Sequence, residues 1–492
     1  MKVPARQGES VLSTHQFDLH GKALPVRLSH EWARAQPVFD EEHLVSHAGL
    51  APVMALAEQA GLSELVESRV NIRASRVKSA GANPAGKVGS IVAGMAAGAD
   101  CIEHLNVLRA GGMAAMFGGV YAPATLGQFL REFTHGHGLQ LASVLRAHLA
   151  GLVRCSNLLP GRDRRVFVDI DSLLRPVYGH AKQGASYGHT KIAGRQVLRK
   201  GLSPLITTIS TDDGAPVIAG IRLRAGRAGS GKGAAKMIAE AINTARESGC
   251  CGEVLVRGDS AYGNSAVVAA CQRAGARFSL VITRSRAVDK AIASIPDDAW
   301  QPVHYPGAVI DPDTGELISD AQVAEVAFTA FASTSKPVTA RLIVRRVRDQ
   351  ARLDELFPVW RHHPFITNNT EPVAQADVTH RAHAIIETVH SDLIDGPMAG
   401  MPSGRFAANS AWLACAGICH NLLRAAGTIA EDGHAVARGA TLRRNIVAVP
   451  ARIAKPQRRP VIHLIARWPW ADAWTRLWKT VLPTATSPPA LA

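Results

Sequence analysis

Apolar and polar positions change their period along this chain, and the change marks where the chemistry begins. Up to about residue 160 the apolar positions fall at helical spacing. Leu50 to Val70 predicts two short helices around Gly61, with Ser63 as an N-cap. Ala57 and Gly61 sit as in a helix-turn-helix, but six residues after Gly61, where that motif buries an apolar side chain, stands Glu67. A plain helical hairpin fits better. Small residues dominate from Ala80 to Gly119 and predict close helix packing; Pro123 to Phe133 predicts a further helix, with Thr125 and Gln128 at capping-box spacing. A short strand is expected at Ala23 to Leu28.

From Arg164 the period becomes two. In RRVFVDIDSLLRPVYG (164–179) the β-branched Val166, Val168 and Ile170 predict a buried strand, with Asp169 and Asp171 together on one face. An isolated carboxylate there costs several kcal/mol of desolvation unless a metal ion or an arginine compensates it. The same residues also fit a strand-end aspartate that caps the next turn with Ser172. Further strands follow at Leu205–Ser210 and Val217–Leu223 around the turn Asp212, Asp213, Gly214, then a helix at Ala234–Ser248. EVLVRGDSAYG (253–263) is a second strand that stops at an acid, Asp259. A helix at Ser265–Ala274 and a strand at Phe278–Ile282 come next.

Three antiparallel strands, a helix and a strand ending in Asp is the ribonuclease H-like order, in which the first and fourth strands are neighbours. Asp171 and Asp259 would then meet. A third acid, Glu387, lies in DVTHRAHAIIETVHSDL (377–393), whose Ala382, Ile385, Ile386, Val389 and Leu393 predict an amphipathic helix. Two strand-end aspartates and a helical glutamate suit a pair of Mg²⁺ or Mn²⁺ ions about 4 Å apart, because hard cations take oxygen ligands. Between Ser285 and Gln350, short strand-like runs around Asp311–Gly315 and Ala340–Val347 predict a β-rich insertion. Two apolar helices are expected beyond Arg405, then a basic stretch from Arg438 to Arg467, and a tryptophan stripe (Trp470, Trp474, Trp478) whose default explanation is core or docking surface. The last dozen residues read as disordered.

Composition narrows the partners. Lys plus Arg outnumber Asp plus Glu by 55 to 40, a net charge of +15, which favours a polyanion such as nucleic acid over a small metabolite. The seven cysteines show no paired zinc spacing and read as reduced core residues. The start lacks an apolar signal core, and Val88 to Ala99, the most lipid-like run, is too short to span a bilayer and is broken by three glycines. A soluble intracellular protein without membrane partners is expected.

VFVDIDS (166–172), LVRGDSAYG (255–263), RAHAIIETVHSDL (381–393) and MPSGRFAANSAWL (401–413) together resemble the DDE transposases of bacterial insertion sequences, group 1, in the insertion-sequence family numbered 1380. The resemblance covers most of the chain. It implies an enzyme, cytoplasmic and nucleoid-associated, that binds the terminal inverted repeats of its element, cuts the DNA and joins it to a target, acting as a homodimer because two ends must be held together. Asp171, Asp259 and Glu387 would hold two Mg²⁺ or Mn²⁺ ions, with Asp169 as the alternative first acid; Ser172 after Asp171 matches the family. Arg381, His383, Arg405 and Lys232 are expected on DNA. Relatives carry a Tyr and an Arg before the glutamate and a Lys after it; here His383 stands four before, Arg381 two further back, and Ile394 where the Lys is expected. A catalytically inactive end-binding protein and a metal-dependent nuclease without strand transfer are the competing readings.

Two other patterns weigh less. GRAGSGK (226–232) has the spacing of a P-loop, yet Gly233 stands where Ser or Thr would hold Mg²⁺, so a basic loop near DNA fits better. His380, His383, Glu387 and His390 line one helical face, but a single helix cannot close a tetrahedral zinc site over that length. The expected architecture is thus α/β and multidomain: a helical DNA-binding region (1–160), a ribonuclease H-like core in two parts (161–284 and 351–425) around a β-rich insertion (285–350), and a basic C-terminal tail (426–492).

Overall fold

The computed structural model describes residues 34–73, 79–179, 181–192, 195–229, 231–303, 321–348, 359–455 and 460–482, with Trp32 and Tyr305. The strand expected at Ala23–Leu28, the turn at Asp311–Gly315 and the chain end beyond residue 482 lie outside the described residues. The chain divides into residues 1–42 and a unit from His43 to Ala492. Residues 35–42 of the first are exposed and form no helix or strand; every element below belongs to the second.

Its frame is a nine-stranded mixed sheet. In spatial order the strands are Gln301–Pro302, Ala321–Ala330, Val338–Arg348, Trp360–Thr367, Arg277–Val281, Glu253–Gly258, Arg165–Ser172, Leu205–Thr211 and Gly214–Arg222. Arg165–Ser172, Glu253–Gly258 and Arg277–Val281 run parallel, and the other pairings are antiparallel. The expected adjacency of the two Asp-bearing strands is present. The strands predicted between 285 and 350 continue this same sheet, because Val338–Arg348 pairs along its length with Trp360–Thr367, which pairs with Arg277–Val281.

The helices Leu50–Gln59, Pro84–Ala96, Pro123–Arg131 and His135–Cys155 pack around a 25-residue helix, Phe406–Ala430, and Leu62–Arg69 packs on the second and fourth of them. One continuous helix replaces the two expected beyond Arg405, since nothing in FAANSAWLACAGICHNLLRAAGTIA breaks it. It is long and apolar enough to cross a membrane, but its most apolar window is 89% buried inside the molecule. Its alanines, Gly417 and Gly427 let neighbouring elements approach closely, while Trp412 fills the core. Its Asn421 finishes the sheet: on the edge strand Gly214–Arg222 the amide of Ile218 donates to Asn421 Oδ1 at 2.7 Å, and Asn421 Nδ2 donates to the Ile218 carbonyl at 2.8 Å.

Local details depart from expectation where tertiary contacts take over. Gly61, at φ 86°, separates the first two helices as predicted and is itself the N-cap, while the Ser63 hydroxyl donates to Glu58. The Thr125–Gln128 box does not form, because Pro123 starts its helix earlier with Ala122 at the cap. The capping box belongs instead to Thr134 and His137 at the head of His135–Cys155. A hairpin that the pattern did not predict, Ser186–Ile192 with Arg195–Leu202, follows the first Asp-bearing strand; its charges interrupt the alternation. The basic stretch after Arg438 folds back: Ala451–Ala454 and Val461–Leu464 form a small sheet with Leu44–Val45. Helix Ala471–Val481 packs on the 25-residue helix with Trp474 buried and stacked on Trp478, so these two tryptophans of the stripe pack into the structure.

Candidate active site

Strand register brings the first two acids level. Arg165 pairs with Glu253 and Ile170 with Gly258, so one further step sets Asp171 beside Asp259, both just where the parallel pair ends. Glu387 arrives from elsewhere. The predicted single helix is two, Val373–Arg381 and Ile386–Ile394, joined by a 3₁₀ turn at Ala382–Ile385, and Glu387 lies in the first turn of the second. Val389 and Leu393 anchor that helix in the core, and Trp412 Nε1 donates to the Pro397 carbonyl just beyond it.

The three carboxylates feel one another. Asp171 is pushed up to about 7, first by burial and then by the charges of Asp259 and Glu387; the Ser172 amide, 2.6 Å from Asp171 Oδ1, and the Arg224 charge act against the rise. Like charges are therefore gathered here with too little positive charge to balance them, which is the electrostatic condition a cation relieves. Asp259 is exposed and accepts from the Ala261 amide at 2.9 Å; Glu387 is exposed as well.

Two buried polar groups face the same place without a hydrogen-bond partner among the described residues. The Tyr262 hydroxyl lies beside Ser172 but finds none at bonding geometry, and burial with the Asp171 and Asp259 charges nearby raises its pKa. His390, one helical turn after Glu387, holds Nδ1 3.6 Å from Asp171 Oδ2, while its Nε2 has no partner. Burial lowers its pKa to about 4, so the ring is neutral and keeps a free lone pair. Carboxylate oxygens crowded together, with lone pairs of a buried hydroxyl and a neutral ring left unused beside them, fit a divalent cation.

Asp169 has a different fate. Both of its oxygens are held by Arg257, Nε to Oδ1 at 2.7 Å and Nη2 to Oδ2 at 2.8 Å, in a pair that is almost wholly buried. Arg257 is its register partner on the neighbouring strand; its guanidinium lies 3.9 Å over the Phe167 ring and donates to the Thr379 carbonyl at 2.9 Å. The pair thus ties the two Asp-bearing strands to the helix that leads to Glu387. Asp392, five residues after Glu387, is clamped in the same manner by Arg424 at 3.0 Å and Arg438 at 2.5 Å. The sequence reading missed Arg257, Arg224, Tyr262 and Asp392 as parts of the site. Only Arg257 left a signal, a cation in register with Asp169.

The residues expected on DNA are spread out. Arg381 is exposed, its guanidinium 4.4 Å over the Tyr305 ring, and His383 Nδ1 lies 2.6 Å from the His380 carbonyl. Arg405 donates to the Arg131 carbonyl at 2.9 Å and so joins the helical layer to the segment after the glutamate helix. Lys232 is exposed on the loop that has P-loop spacing. Arg224 fills that loop from inside, donating to the Gly229 and Lys232 carbonyls at 3.3 and 3.2 Å; a loop that turns carbonyls inward onto a guanidinium does not cradle phosphate. The histidine row does not gather as a zinc site either: His380 stacks on Phe365 and lies 2.9 Å from the Ser279 hydroxyl. Among the described residues, the group whose ligand atoms all lie within 4.8 Å of one another is Asp100, Cys101 and His104, three residues of one turn in the helical layer.

A sheet whose parallel strands lead to two acids, with a helical glutamate in electrostatic reach of them, defines an α/β class with a carboxylate-lined site. The chain belongs to a particular member of it, the family described as transposase DDE domain, group 1, whose model matches residues 33–485. No curated protein matches the chain.

Proposed function

We propose that this protein is an insertion-sequence transposase that binds the terminal inverted repeats of its element and carries out metal-dependent strand cleavage and strand transfer. The observation that carries the reading is that Asp171, Asp259 and Glu387, from three separate parts of the chain, lie near enough for the charges of Asp259 and Glu387 to add to the rise that burial already imposes on Asp171. The sheet order supports a ribonuclease H-like core. Read as first to fifth, the strands from Arg165–Ser172 to Arg277–Val281 lie in the order three, two, one, four, five, with the fourth and fifth parallel to the first. On this reading the helices within residues 43–160 of the expected 1–160 region make the DNA-binding part, 285–350 is the β-rich insertion and 426–492 the C-terminal part; the protein acts in the bacterial cytoplasm as a homodimer on two DNA ends.

Asp171, Asp259 and Glu387 would hold two Mg²⁺ or Mn²⁺ ions, with the neutral His390 ring beside Asp171. Such ions, when bound, stabilise charge on the phosphoryl oxygens and make water or a 3′ hydroxyl a competent nucleophile. The chain's own part is to hold the carboxylates where they cannot relax apart. The Arg257–Asp169 pair fixes the strands, and the Asp392 clamp fixes the glutamate helix.

The test uses DNA carrying the element's ends, with Mg²⁺, and compares the parent with Asp171→Asn, Asp259→Asn and Glu387→Gln. Each variant is expected to bind the ends and to lose cleavage and joining by roughly 10³-fold or more, since several kcal/mol of transition-state charge stabilisation disappears. Cutting without joined product identifies a nuclease. Binding by the parent without cleavage in either metal identifies an inactive end-binding protein.

A further inference from the structure

The hairpin Ser186–Leu202 has no place in that mechanism, yet its composition and position are specific. From Ser172 to Thr211 the chain contains no Asp or Glu, while it carries Arg175, Lys182, Lys191, Arg195, Arg199 and Lys200. No internal carboxylate neutralises this run from within. Arg175 and Lys182 donate to backbone carbonyls, of Ala399 and of Met401 and Ser403, all in the segment just after the glutamate helix. At the other end the Leu173 amide donates to the Pro204 carbonyl, closing the base of the hairpin two residues after Asp171. The element is therefore rooted on both sides of the carboxylate cluster.

Its two faces differ. Gly188, on one face, packs against Gly226; a Cβ at either glycine would collide with backbone, and the Arg227 amide donates to the Ser186 hydroxyl at 2.8 Å. That face is fixed to the 225–229 loop. The register puts Tyr187 opposite Lys200 and His189 opposite Leu198 on the other face. There Tyr187 is 67% and Leu198 57% exposed, a large apolar area for an unpaired sheet surface beside cations. Arg227 and Lys232 are exposed on the supporting loop.

We infer that the Tyr187, His189, Leu198 and Lys200 face holds an unpaired DNA strand next to the carboxylates, by base stacking on Tyr187 and Leu198 and phosphate contact with Lys200. This rests on the transposase reading above and names the surface by which that site takes its substrate. An exposed aromatic paired with a cation on a rigid strand suits flat bases joined by phosphates: stacking supplies sequence-tolerant affinity, and each cation releases counterions. A protein partner fits less well, because an acid-free basic run this long favours a polyanion.

The experiment is fluorescence anisotropy of the full chain in EDTA, so that nothing is cut, with two probes bearing the element's end: a blunt duplex and the same duplex with a single-stranded 3′ tail. Tyr187→Ala is expected to weaken binding of the tailed probe about tenfold and to leave the blunt probe nearly unchanged. Tyr187→Phe retains tailed binding, and Lys200→Ala lowers the slope of log K against log salt by about one on the tailed probe. Equal affinity of Tyr187→Ala and parent for the tailed probe overturns the inference, as does an equal loss on both probes; in either case the transposase reading stands, since the parent still binds. A parent that binds neither probe overturns both.

Discussion

Asp169 and Asp171 are two residues apart on one strand face; Ser172 after Asp171 favours that acid by resemblance, but alternation and charge do not separate their roles. Arg257 does. Removing one partner of a buried ion pair leaves an uncompensated charge and costs about 3–5 kcal/mol, so Asp169→Ala is expected to lower the urea midpoint sharply. Asp171→Asn is expected to do the reverse. Its folded pKa, about 7, lies above the ordinary carboxylate value, so the folded state binds the proton more tightly and loses stability as pH rises from about 4 to 7. At 1.4 kcal/mol per pH unit that loss is bounded by roughly 4 kcal/mol at pH 8, less for a side chain with some solvent access. The asparagine variant therefore unfolds at higher urea than the parent at pH 8 and close to it at pH 4; Mg²⁺ raises the parent's midpoint and not the variant's. A parent whose midpoint matches Asp171→Asn at pH 8 would contradict the crowded-carboxylate picture.

At the scale of elements, the site depends on how the long helix Phe406–Ala430 meets the sheet. An edge strand carries unpaired amide and carbonyl groups, and Asn421 satisfies one of each on Ile218 from a fully buried position. Asn421→Ala strands both groups away from water. The expected cost is about 2–4 kcal/mol, from a penalty of about 1–3 kcal/mol for each unmet buried polar group after partial relaxation. Chemical denaturation checks it, and amide exchange locates it: Ile218 protection is lost while strand Glu253–Gly258 keeps its own. The break in the glutamate helix belongs to this scale too. HRAHAIIETVHSDL has continuous helical periodicity, so the 3₁₀ turn at Ala382–Ile385 was not legible; it arises where the Arg257 contact to Thr379 and the core anchoring of Val389 and Leu393 fix the two halves separately.

For the whole molecule the acid limit of stability is set by buried neutral histidines. Burial lowers His148, His390 and His420 to about 4 and His380 well below its usual value. A depressed folded pKa means the unfolded chain takes up protons first, so stability is lost as pH falls from about 6.5 toward 4. Protonation of Asp171 works in the opposite direction over an overlapping range. The three rings lowered to about 4, at up to about 3 kcal/mol each, outweigh one carboxyl of similar size, leaving a net loss of several kcal/mol by pH 4.5. The urea midpoint is accordingly expected to fall steeply below pH 6, and His420→Gln to flatten that limb. A midpoint that is flat between pH 6.5 and 4.5 would show that these rings are not held neutral.

Period and composition were enough for the parallel strands that end in Asp171 and Asp259, for the amphipathic segment around Glu387, for the paired helices about Gly61 and for a basic chain suited to a polyanion. All of these are short-range properties: side-chain alternation, helical spacing and charge are written within a few neighbouring residues. Only the tertiary structure shows that Asp169, the alternative to the favoured Asp171, is neutralised, by a residue 88 positions away. It alone joined the 285–350 strands to the main sheet, turned one apolar run into a single core helix, and set His390 and Tyr262 against Asp171. Those outcomes depend on contacts between segments distant in the chain, whose desolvation and packing energies exceed local preference and leave no mark in any one window of sequence.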